Sequence, residues 1–126
     1  MTGHRLLVAE WWRLINRYSG SMIKVTVLYP NTPETRFDVE YYLQKHMPRS
    51  IELLSPALKS VSVEIGLAGG LRGEPAPFVA ICAFTCESVD AFLEAFTPHA
   101  AELQGDIPNY TNAKAIIQLS ELRIAQ

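Results

Sequence analysis

The chain has only two cysteines, and none of its apolar runs approaches the ~20 residues that a membrane-spanning helix needs. A disulfide framework is therefore excluded as the source of stability, and a bilayer span is not expected. Charge is sparse too. Lysine and arginine together number 11 against 13 acidic residues, and no stretch gathers them into a basic stripe. That argues against nucleic acid and against an anionic membrane surface as partners. Also missing are a phosphate-binding Gly-Lys-Ser/Thr loop, a Gly-x-Ser-x-Gly elbow and a dinucleotide fingerprint. The glycine-rich "GLAGGLRGEPAP" has the wrong spacing for such a fingerprint and precedes a strand, so it reads as a hairpin connection or a flap over a cavity. No cofactor is expected from these motifs. With 126 residues and 48% hydrophobic content, one domain can bury its own core without metal or disulfide.

Cys82 and Cys86 lie four apart in an apolar run. On a strand they share a face but stand too far apart for a bridge, so they read as buried free thiols in a reducing cytoplasm. Residues 1–21 differ from the rest. They hold both tryptophans and a basic excess, Arg5, Arg13 and Arg17 against Glu10, while the remainder is acidic on balance. Gly20 between two serines marks a break. The head is either an upstream mis-start before Met22, or an amphipathic docking helix carrying Leu7, Val8, Trp11, Trp12 and Ile15. The domain proper is 22–126.

From Met22 the periodicity is clear. "MIKVTVLYP" alternates, with Ile23, Val25, Val27 and Tyr29 on one face, and Pro30 stops the strand. "RFDVEYYLQKHM" places Val39, Tyr42, Leu43, His46 and Met47 at helical spacing, with Asp38 or Thr35 as cap and a break or kink at Pro48. "KSVSVEIGLAG" alternates again through Val61, Val63, Ile65 and Leu67, and "PFVAICAFTC" reads as a buried strand. Ser88 caps a helix whose stripe is Val89, Phe92, Leu93, Phe96, Ala100 and Leu103, and "AKAIIQLSELRI" closes as a strand. The order βαββαβ predicts an α+β, ferredoxin-like antiparallel sheet with helices on one face. Leu28, Ile116 and the doubly apolar run Phe78–Phe84 would leave the other face greasy. A second copy would cover it, giving a homodimeric α+β barrel whose interior is lined by Thr26, Glu64 and Gln118, where a small molecule could bind.

Two clusters carry candidate chemistry. His46 lies one turn after Tyr42 and near the expected end of the first helix, where the helix dipole favours an imidazolium and suits proton transfer. The plainer reading is a half-buried histidine bonded to a nearby carbonyl or acid. In "FTPHAAELQGDIPNYT", Asn109 and Tyr110 suit hydrogen bonds to a carbonyl or phenol at a cavity mouth, with His99 beside Pro98; the plainer reading is a helix end, with Asp106 and Asn109 in turns and Tyr110 packed under the last strand.

"MIKVTVLYPNTPETRFDVEYYLQKHMP", "GLAGG", "FTPHAAELQGDIPNYT" and "IIQLSEL" together resemble the EthD family, named after ethyl tert-butyl ether degradation, from Met22 to about Leu122. The resemblance implies a dimeric α+β barrel. Members are often labelled reductases, some fungal relatives act as decarboxylases, and the wider superfamily holds cofactor-free monooxygenases, polyketide cyclases, lactone isomerases and haem enzymes. Its histidine motif matches His46, its tyrosines match Tyr41 and Tyr42, and its later motif matches Asp106, Asn109 and Tyr110.

The expectation is an oxidoreductase or proton-transfer enzyme acting on a small apolar oxygenated or aromatic compound. His46, Tyr42 and Tyr110 would be catalytic, and Tyr41, Glu64, His99, Asn109 and Gln118 would bind substrate. The alternatives are a non-catalytic carrier of a degradation intermediate and a haem protein with His46 or His99 as axial ligand.

Overall fold

The computed structural model describes residues 7–16 and 22–126. Among them, strands β1 (Ile23–Pro30), β2 (Leu58–Ile65), β3 (Phe78–Cys86) and β4 (Ile116–Glu121) form one antiparallel sheet in the order β2-β3-β1-β4. β1 is central. Val25 pairs with Phe84 on one side and Leu119 on the other, and Thr26 pairs with Ala83 and Gln118. This register puts Ile23, Val25, Tyr29, Ala80, Cys82, Phe84 and Cys86 on one face, all buried in a single apolar core. The fold is α+β and ferredoxin-like, as the alternation of strand residues predicts. Leu67 is the exception: it lies past the end of β2 and is 96% exposed.

Helices cover that face. α1 (Val8–Asn16) lies in the head, whose residues 1–6 and 17–21, with the break at Gly20, fall outside the described residues. The first crossover is one winding run: α2 (Val39–Tyr41), a π turn (Tyr42–His46), α3 (Met47–Leu54) and a short 3₁₀ turn (Ser55–Ala57). Asp38 starts it by accepting the amide of Tyr41 at 3.1 Å, while Thr35 serves a tight turn with Thr32 instead. The second crossover is α4 (Val89–Phe96) and α5 (Ala100–Asp106), opened by Ser88, whose hydroxyl accepts from the Ala91 amide at 3.0 Å.

Pro48 neither breaks nor ends the first run. It has no N–H to give to the carbonyl four residues back, and its ring would crowd that carbonyl. The turn just before it widens, so that the Met47 amide donates to the Tyr42 carbonyl, five residues away. The wide turn brings Tyr42, His46 and Met47 to the buried side together, and Leu43 is turned out, 43% exposed. An unbroken 3.6-residue period would have packed Leu43, as the stripe of the sequence suggests. His46 also stands in mid-run rather than at the helix end expected for it.

The hairpin between β2 and β3 spans residues 66–77 and does not line the cavity described below, so it is no flap over it. Its first glycine has a steric task. A Cβ on Gly66 would stand 2.3 Å from the carbonyl oxygen of Phe78, whereas one on Gly70 would meet nothing within 4 Å, and neither backbone is left-handed. Gly66→Ala is expected to lose about 1–3 kcal/mol in denaturant unfolding, and Gly70→Ala to be neutral or to gain up to about 1 kcal/mol. Equal effects at the two positions would refute the close-approach argument.

Candidate functional site

The loop before α2 and the loop after α5 are clasped together. The Asp38 amide donates to the Tyr110 carbonyl at 2.7 Å, the Thr111 hydroxyl to the Arg36 carbonyl at 2.6 Å, and the Arg36 amide to the Asn112 side chain at 2.7 Å. Phe37 and Thr111 form an isolated bridge at the same place. The clasp lays the π turn against the end of α5, and the residues that meet there are Tyr41, Tyr42, His46, Asp106, Asn109 and Tyr110.

Asp106 is the centre of that meeting. One oxygen accepts the Tyr41 hydroxyl at 2.6 Å and the Asn109 amide at 2.9 Å; the other lies 2.9 Å from Nδ1 of His46. Burial pushes the Asp106 carboxyl up, but the hydrogen bonds from Tyr41, Asn109 and His46 outweigh it and hold the group below its ordinary range. It is therefore a carboxylate at neutral pH. As an acceptor, it fixes the proton of a neutral His46 on Nδ1 and leaves Nε2 with its lone pair free. Nε2 has no hydrogen-bond partner among the described residues. Tyr42 stacks on the imidazole at 5.8 Å and 16°, and Tyr110 backs it at 4.6 Å, so the ring has little room to swing.

His46 forms part of two walls. On one side is a cavity of about 630 Å³ between the helices and the helix-covered face of the sheet, lined by Tyr29, Val25, Cys82, Phe92, Leu103 and other mostly apolar residues. On the other is a polar surface hollow of about 440 Å³ that includes Tyr41, Lys45, Arg49, Asp106 and Asn109. Asp106 belongs to the hollow and not to the cavity, so the Nε2 edge of His46 is the one left for the cavity. The side chains at this boundary can bind an apolar molecule and exchange one proton with it.

The cavity lies on the opposite side of the sheet from the one expected. Glu64 alternates with the helix-facing Val63 and Ile65, stands exposed on the far face and lines no part of it. Gln118 is exposed and belongs to the cavity lining, and its amide donates to Ser120 at 2.9 Å. His99 sits in a separate shallow hollow with Leu53, Pro56 and Ala57. Asn109 holds Asp106 rather than facing the cavity. The apolar alternation of the strands says which residues avoid water, but not on which side of the sheet the helices leave a void.

The tyrosines are redistributed as well. Tyr42 lines the cavity with its ring, yet it is 0% exposed, and its hydroxyl, beside Cys82 and Tyr29, has no hydrogen-bond partner among the described residues. Tyr110 stands behind the cavity wall, with its hydroxyl 2.7 Å from that of Tyr29, which does line the cavity. Burial pushes the phenols of Tyr29, Tyr42 and Tyr110 well up, so all three keep their protons. Burial likewise pushes the Cys82 thiol up to about 12, which makes it packing and not a nucleophile; Cys86 is raised in the same way, and both thiols are free and buried. Asp106 and Tyr29 were the missed residues. Asp106 looks like a turn residue in sequence because its partners Tyr41 and His46 are 60 or more positions away.

A ferredoxin-like α+β domain with a carboxylate–histidine pair at an apolar cavity is the class that fold and site define. The model of the EthD domain matches residues 31–114, and the chain belongs to the EthD family. An EthD-like protein of Ralstonia eutropha JMP134 superposes with a TM-score of 0.81 at 45% identity, over 84% of this chain and 96% of that one. An EthD-family protein of Bacillus halodurans C-125 (TM-score 0.59, 15% identity, 81% and 99%) and a hydroxynitrile lyase of Passiflora edulis (0.55, 17%, 85% and 98%) share the fold. No curated protein matches in sequence. Among the described residues, no helix is long and apolar enough to cross a membrane.

The Asp106 network has a pH signature. A carboxyl depressed by folding adds stability that is complete above its unfolded value, about 3.9, and is lost as pH falls through the lower folded value. Wild type should therefore exceed Asp106→Asn in unfolding temperature at pH 7, and the gap should close below about pH 4. A gap that stays constant from pH 7 to pH 3 would show that Asp106 is not held as a carboxylate.

Proposed function

We propose that the protein is a general acid–base enzyme that binds a small, mainly apolar, oxygenated or aromatic molecule in the helix-side cavity and moves a proton on it with His46. The observation that carries this reading is the 2.9 Å contact from His46 Nδ1 to Asp106, which leaves the opposite imidazole edge to an apolar chamber. Nε2 removes a proton from a carbon next to a carbonyl, and the C–H electron pair shifts to leave an enolate oxygen. Asp106 supports the imidazolium so formed, in the manner of an orienting carboxylate. Tyr29 is placed to donate to the enolate: if the Tyr110 hydroxyl donates to Tyr29, the Tyr29 proton is free for the cavity. Return of the proton to the same carbon or a different one gives exchange or isomerisation. The polar hollow behind His46 lets the imidazolium exchange with water without opening the chamber. The oxidoreductase label carried by family members would add an electron acceptor to this step, and nothing in the pair's geometry calls for one.

A non-catalytic carrier is the second reading, favoured by how apolar the lining is. Hydrogen–deuterium exchange separates the two. In D₂O the protein should speed exchange at the carbons flanking the carbonyl of 4-tert-butylcyclohexanone, followed by NMR. His46→Ala should slow this by about 100-fold or more, and Asp106→Asn should slow it at unchanged ketone affinity. Binding with no enhancement of exchange, or His46→Ala exchanging at the wild-type rate, makes the protein a carrier.

The far face of the sheet supports a homodimer. Leu28 and Ile81 are paired there, and Ile116, 51% exposed, extends the same apolar surface. Two such faces would cover one another, with Thr26 at their middle and Glu64 on the β2 edge. Light scattering after size exclusion should give twice the 14.1 kDa of one chain. A monomer at tens of micromolar would contradict the pairing.

A further inference from the structure

The head of the chain is where the cavity acquires its last wall. α1 presents Trp11, Leu14 and Ile15 to the chamber, at the i, i+3 and i+4 spacing of one helix face. Leu14 and Ile15 also line a smaller hollow with Ile23, Val89 and Leu119, which sets the helix over the helix-side face of β1 and β4, at the β4 edge of the sheet. Ile117 of β4 lines the chamber and remains 61% exposed with α1 in place, so apolar surface is left there for a ligand to cover. A nine-residue helix has little stability of its own in water. Its apolar face gains most when the chamber beneath it is filled, so ligand and helix support each other.

The composition of the wall selects the ligand. Among the described residues, the chamber is lined by no Asp, Glu, Lys or Arg. Its polar groups are few, and Ser50 already donates to the His46 carbonyl at 2.9 Å. An ammonium entering it would lose its hydration and meet no counter-charge, and a carboxylate would find one only by protonating His46, the base the reaction needs. The nearest carboxylate, Asp106, lies beyond His46 in the other hollow and is committed to three donors.

We infer that α1 is a ligand-binding wall, in which Trp11, Leu14 and Ile15 close the chamber over an uncharged, largely hydrocarbon molecule with a single oxygen function directed to His46. This rests on the cavity reading proposed above and adds to it both the charge class of the ligand and the residues that hold its far end. The chain has only Trp11 and Trp12 as tryptophans, so its emission reports on this wall.

The test uses the full chain carrying Trp12→Phe, which leaves Trp11 as the one tryptophan. Titration with 4-tert-butylcyclohexanone should change Trp11 emission saturably. The carboxylate on the same skeleton, 4-tert-butylcyclohexanecarboxylate, should bind at least ten-fold more weakly by calorimetry. Trp11→Ala should weaken the ketone at least ten-fold at an unchanged unfolding temperature. If the ketone binds by calorimetry while Trp11 emission stays constant and Trp11→Ala binds it as wild type does, α1 is not part of the site, and the chamber survives as the binding site. Equal affinity for ketone and carboxylate overturns the charge selection. If neither compound binds, the chamber is not a ligand site, and both this inference and the function it rests on fall.

Discussion

Everything at the site depends on one partly buried carboxylate that has more donors than it strictly needs. Asp106 accepts from Tyr41, Asn109 and His46, two donors from the first crossover and one from the turn that ends α5. Two of these donors come from the π turn and its approach, so the acid also pins the first crossover to the second. The backbone clasp between residues 36–38 and 110–112 brings the two within reach, and Asp106 turns that proximity into a fixed tautomer. A carboxylate in this position costs solvation, which the three hydrogen bonds must offset. Remove it, and His46 loses its orientation while Tyr41 and Asn109 lose their acceptor.

The π turn is the local counterpart of that constraint. A regular helix through "YYLQKHMP" cannot keep both Pro48 and an uncrowded carbonyl four residues before it. Widening one turn resolves the clash and alters which side chains look inward, so that Tyr42, His46 and Met47 share the buried side at Leu43's expense. The same proline that reads as a helix breaker is thus what aligns the histidine with the cavity. Insertions of this kind recur at functional sites because they re-aim a side chain without ending the element that carries it.

How much of this could be read from the residues follows from the range of the forces involved. The four strands, their order, and the caps at Asp38 and Ser88 rest on alternation and on hydrogen bonds three residues apart, and both are local. The cavity's side of the sheet is not local. Thr26, Glu64 and Gln118 are polar among apolar neighbours whether they face a partner or water, and only the packing of α4 and α5 decides that the void lies beneath the helices. The histidine motif singled out His46, but Asp106 looked like an ordinary turn residue until the fold carried it across 60 positions. Tyr110 was noticed for its place in a motif, whereas Tyr29, which reaches the cavity, was absorbed into the alternation of β1 as one more strand aromatic.

The arrangement is costly for a purely structural role. Beside an apolar chamber, a packed aromatic or aliphatic side chain at position 46 would fill the wall with no network to satisfy, and replacing buried charge by apolar packing is often neutral or stabilising. Here the wall instead carries an imidazole held by a carboxylate that is itself held by a phenol and an amide, with a polar hollow on its outer side. His46, which is buried, and Asp106, which is partly so, lose hydration to be there. A carrier that only had to exclude water would gain from apolar residues at all of these positions. A catalyst needs a base whose tautomer is set, whose free nitrogen faces the ligand, and whose proton can leave by another route. On the reading proposed above, His46, Asp106 and the hollow would meet those three needs together, and that coincidence is what supports chemistry over storage.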